Sequence, residues 1–308
     1  MMIATALTAL ALAASSPGCG RAAPVTVDRP NGERAQHAFQ NGGAVPLRLR
    51  WIDRAGTAVD QGTIAPGGFL ALDTYPGHVF EMLDPAGRCR RRVRIDGVLN
   101  GTYVGASRYR RVAAPPGWKV FADVALRPKR EPAKAALATI MRMLDEVGAV
   151  LPAAALAQVR ETPIFLLDHS GPGGMYHPDP GWLVAHGRTV EMTRGIEVSD
   201  AAMFIETARV QPGSILHELA HAYFFRLPDA DRAVIEATYR RAMESGGYLA
   251  VRRHDGSTVD AYARTNAAEY FAELTEAYFS RNDFFPFVRT ELAAYDPEGE
   301  RLIARMWR

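Results

Sequence analysis

The sequence predicts a multidomain protein, a small β-sandwich followed by a larger α+β domain. Three observations carry this. The 308 residues are 48% hydrophobic and 23% charged, ordinary for a folded chain and long enough for two domains. The formal net charge of +2 hides an asymmetry, because residues 1–130 sum to +9 and residues 131–308 to −7. Short alternating segments with turn signals fill residues 33–96, whereas helical spacing dominates after residue 118. The expected division is a β-sandwich domain at 33–96, a linker-like stretch at 97–117 and a second domain at 118–308.

Ahead of these, residues 3–14 are an uninterrupted run of apolar and small side chains, and the first charge is Arg21. The run is too short to span a bilayer and has the length of a signal h-region. Residues 1–23 therefore read as a signal peptide region and the protein as exported, periplasmic or secreted, with cleavage near Ala13 or Ala14. Ser16-Pro17-Gly18-Cys19 also has the form of a degenerate lipoprotein box, which would anchor the chain through Cys19. If Cys19 stays unmodified it can pair with Cys89 in an oxidising compartment; otherwise Cys89 is a lone thiol. No internal run reaches the roughly 18 apolar residues of a transmembrane helix. An overall charge near zero is a poor footprint for a polyanion, so no nucleic-acid partner is expected.

In the first domain, residues 45–53 alternate apolar and polar side chains, the period of a half-buried strand, and Arg54-Ala55-Gly56 turns the chain. Further strands are expected at 69–72, 79–83 and 90–95, the last two split by Asp84-Pro85-Ala86-Gly87. The arginines at 88, 90, 91, 92 and 94 have no aromatic interleaving, which suits a solvated edge or a docking patch better than base stacking. Phe39-Gln40-Asn41, Trp51-Ile52-Asp53, Pro66-Gly67 and Thr74-Tyr75-Pro76-Gly77-His78 together resemble the von Hippel–Lindau β domain. That family binds a hydroxyproline peptide. The resemblance implies a possible peptide site at His78 and Thr74, with Leu49, Phe80 and Gln61 at positions that are aromatic in the family.

The second domain opens after a Pro-Pro-Gly loop with a strand at 120–126. Pro132 starts a helix whose apolar residues Leu137, Ile140, Met141 and Leu144 have helical spacing, and Gly148 is expected to stop it. Residues 163–168 read as a buried strand, 169–178 as a glycine-rich loop and 195–206 as an edge strand. His177 in the loop is expected to be structural.

The chemistry lies further on. His217-Glu218-Leu219-Ala220-His221 puts two imidazoles one turn apart on one helix face. Neutral imidazoles suit Zn2+, and Glu218 beside them can act on water as a general base. Leu216, Leu219, Ala220 and Phe224 make this a buried helix, where imidazoles need partners. A catalytic zinc requires a third protein ligand, and a helix capped by Thr265 or Asn266 carries Glu269, Glu273 and Glu276 along one flank. Glu269 as ligand and Glu273 as acceptor from His217 Nδ1 form an economical arrangement, with Glu276 at the surface.

Tyr262-Ala263-Arg264-Thr265-Asn266 followed by Glu269, Phe271 and Glu273 resembles the zinc peptidase domain of anthrax lethal factor and its relatives, a gluzincin group. Tyr176-His177-Pro178, Gly181-Trp182-Leu183, His217 through Tyr223, Asn282-Asp283-Phe284 and Asp296-Pro297-Glu298 resemble a family of exported metallopeptidases over about 180 residues. These resemblances imply a zincin-like metallopeptidase domain with one Zn2+ on His217, His221 and Glu269. They also imply that Tyr262 stabilises the oxyanion or protonates the leaving group. The expected activity is hydrolysis of peptide bonds in a peptide or protein substrate, with the β module binding substrate or a partner. The competing expectation is an exported, non-catalytic binding module with a structural or inactive zinc site.

Overall fold

A computed structural model describes residue 19 and residues 34–95, 99–127, 130–167 and 174–308. Residues 1–23, expected to be a signal peptide region, lie outside the described residues except for Cys19, as do residues 168–173 of the expected glycine-rich loop. The chain begins with seven strands: β1 (Ala35–Asn41), β2 (Leu47–Ile52), β3 (Ala58–Ile64), β4 (Phe69–Thr74), β5 (Val79–Leu83), β6 (Cys89–Arg94) and β7 (Leu99–Val104). There follow β8 (Tyr109–Arg111), β9 (Val120–Asp123), α1 (Ala133–Val150), α2 (Ala153–Val159), β10 (Ile164–Leu166), β11 (Gly174–Tyr176), α3 (Pro180–Ala185) and β12 (Ile196–Val198). The remainder is α4 (Ala201–Val210), α5 (Ser214–Phe224), α6 (Asp229–Glu244), the hairpin β13 (Val251–Arg252) and β14 (Thr258–Val259), α7 (Ala267–Phe279), α8 (Arg289–Tyr295) and α9 (Pro297–Met306). The N-terminal part is thus β-rich with several sheets and the C-terminal part helical. Among the described residues, no helix is long and apolar enough to cross a membrane.

Two compact units divide the chain, and the first is discontinuous: residues 1–106 with 179–193. Its strands form a three-stranded sheet, β4-β1-β7, and a four-stranded one, β3-β2-β5-β6. Alternation drives the packing: Leu47 and Leu49 of β2, Phe39 of β1 and Phe80 and Met82 of β5 point into one apolar core. The opposite face of the four-stranded sheet is partly buried as well. Glu81 is 2% exposed and stands in register between Arg50 and Arg92 on the flanking strands. It accepts from Arg50 Nη2 at 2.8 Å and from Arg92 Nε at 2.9 Å. Arg88 bonds Asp84 at 3.2 Å, so the arginine run is partly consumed inside its own unit.

The stretch expected as a linker instead supplies β7 to this unit, paired parallel to β1, and β8 to the other. The returning segment brings α3 and a 3-10 turn at Val190–Met192. Val190 N–H donates to Gln40 Oε1 at 3.0 Å, and a side chain at Gly101 would collide with Val190. A disulfide joins Cys19 to Cys89, with Cα atoms 5.3 Å apart and a separation of 70 positions in sequence. Closing a loop of that length restricts the unfolded chain, by about 4 kcal/mol on the chain-entropy estimate. Cys89→Ser should lower the unfolding free energy by an amount of this order. A urea melt of the variant matching that of the parent would contradict it.

The second unit contains residues 107–178 and 194–308. Its five-stranded sheet has the order β11-β12-β10-β9-β8, with β10 parallel to both neighbours and β11 and β8 antiparallel at the edges. Two expectations fail here. Helix α1 runs through Gly148 to Val150, because Val147 and Leu151 are buried and outweigh the roughly 1 kcal/mol that glycine costs a helix. Residues 195–206 are not an edge strand: β12 is internal, and Asp200 caps α4 by accepting from Ala202 N and Met203 N. The edge is β11, at the end of the expected loop.

Helices α5 and α7 pack side by side in the core of this unit, and Trp307 braces both. Its ring stacks 4.2 Å from Tyr223 of α5, and its Nε1 donates to Thr275 of α7 at 3.0 Å.

Candidate metal centre

His217 and His221 face the same way from α5, whose other side is buried through Ile215, Leu219, Ala220 and Ala222. Glu269 faces them from the first turn of α7, where Asn266 caps the helix by accepting from Ala268 N and Glu269 N at 2.9 Å. Glu269 Oε2 lies 3.1 Å from His217 Nε2 and 3.0 Å from His221 Nε2, and the two nitrogens are 3.1 Å apart. Metal–ligand bonds of about 2.0–2.1 Å at tetrahedral angles separate donor atoms by about 3.3 Å, so the triangle has the size that one ion requires.

The donor set fits a divalent cation on chemistry as well as on size. His217 Nδ1 hydrogen bonds with Glu276 Oε1 at 2.7 Å. In the neutral tautomer that donates there, Nε2 presents a lone pair to the lone pairs of His221 and Glu269. Such a cluster demands a positive charge. Without an ion the charge is a proton: burial opposes it on His217, but hydrogen bonds to Glu269 and Glu276 raise this imidazole well above its usual value. Burial likewise pushes the Glu269 carboxyl up, and the bonds from His217 and His221 outweigh it, bringing it to about 2.

The partner of His217 Nδ1 is the main correction to the expected site. Glu273 Oε1 stands 3.8 Å away, and Glu273 bonds Asn282 Nδ2 at 3.0 Å instead. Glu276, expected at the surface, is 3% exposed and makes the contact. Seven residues are almost two full turns, so Glu276 lies on the stripe of Glu269, while Glu273 is rotated off it. Burial, and then its charged neighbour Glu276, raise the Glu273 carboxyl above its normal range, and burial raises Glu276 too. Gly213 makes room, since a Cβ there would overlap Glu276 Oε2, an oxygen with no hydrogen-bond partner among the described residues. Glu276→Gln should weaken zinc binding about 10- to 100-fold by loosening His217, and Glu273→Gln should not. Competition with a chromogenic chelator measures both, and equal losses would refute the assignment.

Glu218 points to the other side of the cluster. Its Oε2 accepts from Tyr176 N–H of edge strand β11 at 2.7 Å, and the bare Gly174 leaves space for its side chain. Tyr262 sits in a 3-10 turn at Tyr262–Arg264, 47% exposed, with its hydroxyl 3.5 Å from Glu269 Oε1. These five residues line a single cleft of about 740 Å³. His177 is apart from them, 2% exposed and bonded to Glu197 at 2.9 Å. In the β-rich unit Thr74 Oγ1 and His78 Nδ1 bond each other at 2.9 Å, beside Trp51. Leu49 and Phe80 there belong to the core.

No protein-family model matches the chain, and no curated protein matches it. Glu276 was within reach of sequence reasoning through its spacing from Glu269. Gly174 and Gly213 were not, because nothing in a sequence says which side chain will come against a glycine.

Proposed function

We propose that the protein is an exported zinc-dependent endopeptidase of the gluzincin kind, with a β-sandwich module that binds substrate or a partner. The observation that carries this is the convergence of His217, His221 and Glu269 within 3.1 Å, with Glu218 and Tyr262 in the same cleft. A bound zinc ion supplies Lewis-acid polarisation of a carbonyl and acidifies water. The protein's own groups do the rest. Glu218, anchored by Oε2 to the backbone of β11, offers Oε1 as the base that takes a proton from water and returns it to the leaving amine. Tyr262 has its hydroxyl close enough to the cluster to donate to an oxyanion, and burial followed by the Glu269 charge keeps it protonated. Edge strand β11 beside Glu218 offers backbone groups along which an extended peptide can lie.

The three- and four-stranded sheets around one core support the resemblance to a von Hippel–Lindau β domain, and the α5–α7 pair beside a mixed sheet supports a zincin-like domain. The Cys19–Cys89 disulfide supports an oxidising compartment. It also occupies the sulfur that a lipid anchor would need, which favours export without one. Cleavage of a random peptide library by the zinc-loaded protein tests the proposal. Cutting should stop on chelation and return with zinc, and the absence of metal-dependent cutting would leave only the binding-module reading.

A further inference from the structure

The cleft has one feature that hydrolysis itself does not use. Among the described residues that line it, Arg253 is the sole arginine or lysine, sharing the cleft with the carboxylates Glu218, Glu269, Glu273 and Glu276. Its backbone is held on two sides. Arg253 N–H donates to Ser257 O at 2.8 Å, and the residue makes an antiparallel bridge to Phe284. The guanidinium carbon lies 5.4 Å from the centre of the Phe284 ring, which also lines the cleft. The head group is therefore braced by an aromatic face.

It is not, however, neutralised by a hydrogen-bonded fork, the usual state of an arginine at such a position. Asp255 and Asp283 approach its nitrogens only to 3.8 Å, beyond hydrogen-bond length. Asp283 already accepts from Gln211 Nε2 at 3.0 Å. Arg253 makes no side-chain hydrogen bond among the described residues, and its Nε is buried without a partner. The side chain as a whole is 38% exposed, so its remaining N–H groups are open to an incoming molecule. A braced cation with unused planar donors, in a cleft whose other ionised side chains are carboxylates, marks a place for a planar anion.

We infer that Arg253 is a specificity residue that binds a carboxylate of the peptide substrate, while the scissile bond lies at His217, His221 and Glu269. This rests on the peptidase reading above, since a peptide's own anions are carboxylates. The group can come from an aspartate or glutamate side chain or from a free C-terminus, and both present the same two oxygens to a guanidinium. Arg253 does not take part in the proton transfers. Its effect is on which peptides bind.

The test uses the full-length, zinc-loaded Glu218→Gln protein and fluorescent octapeptides in matched sets, read by anisotropy. Each sequence is made with internal Asp or Glu against Asn or Gln, and with a free against an amidated C-terminus. Carboxylate-bearing peptides should bind about 10- to 100-fold tighter than their amide counterparts. The arm showing the difference tells side chain from terminus. Arg253→Gln should erase the preference while neutral peptides bind as before, and Arg253→Glu should favour lysine-bearing peptides. A parent without preference, or an equal loss for all peptides in Arg253→Gln, would overturn the inference, the latter assigning Arg253 to holding the hairpin. Digestion of the same peptides by the unmodified enzyme separates the two ideas. Preferential binding without any cutting would end the peptidase reading and leave the carboxylate site, whereas cutting without preference would do the reverse.

Discussion

A Glu218→Gln protein should bind zinc as the parent does and cut peptides at least about 100-fold more slowly, the low end of what a positioned general base contributes. The substitution preserves shape. A carboxamide oxygen can still accept from Tyr176 N–H, and the side chain still packs against Gly174. What disappears is the capacity to take up a proton, and only the chemical step needs that. The expected signature is a fall in kcat with zinc content and thermal midpoint unchanged. Parent-like turnover in this variant would remove Glu218 from the mechanism.

Glu269→Ala should abolish stoichiometric zinc binding, with affinity falling by more than the roughly 10- to 100-fold typical of residues that only orient a ligand. Two imidazoles would remain on α5, enough for weak binding but not for a closed triangle of donors. The fold should survive, because Glu269 sits at the half-exposed start of α7 while Phe271, Leu274 and Ala277 hold the helix in the core. The substitution removes one of the hydrogen bonds that raise the His217 imidazole, and the bond to Glu276 still holds its Nδ1. Elemental analysis after gel filtration, alongside circular dichroism, reads both outcomes. Full zinc occupancy in a folded variant would show that the third ligand lies elsewhere.

The centre was legible where one helix supplies its own logic. His217 and His221 at one-turn spacing, Glu218 between them and the Asn266 cap before Glu269 are local patterns, and α5 and α7 occur where they predict. The strands at 47–52, 69–74, 79–83 and 89–94 followed from alternation and turns in the same way. Long-range packing was not legible. Spacing along α7 cannot say that Gly213 would come close enough to enclose Glu276, so a carboxylate was expected in water. The same holds for Ile196 to Val198, read as part of an edge, because the edge is set by where residues 174–176 return to pair. Residues 181–183, whose motif belongs by resemblance to the peptidase, fold into the β-rich unit through contacts with β1 and β7 that no local signal announces.

That return has a consequence for how the protein can be taken apart or reused. The backbone passes between the two units three times, after residues 106, 178 and 193, so they are threaded through one another in sequence. A protease that nicks one crossing breaks the linear chain into two polypeptides, but no single nick leaves each unit whole on its own fragment. Equally, neither unit is a cassette: moving the β-rich part to another protein means carrying α3 and its turn as a separate piece. No single cut in the gene yields one unit whole without carrying part of the other.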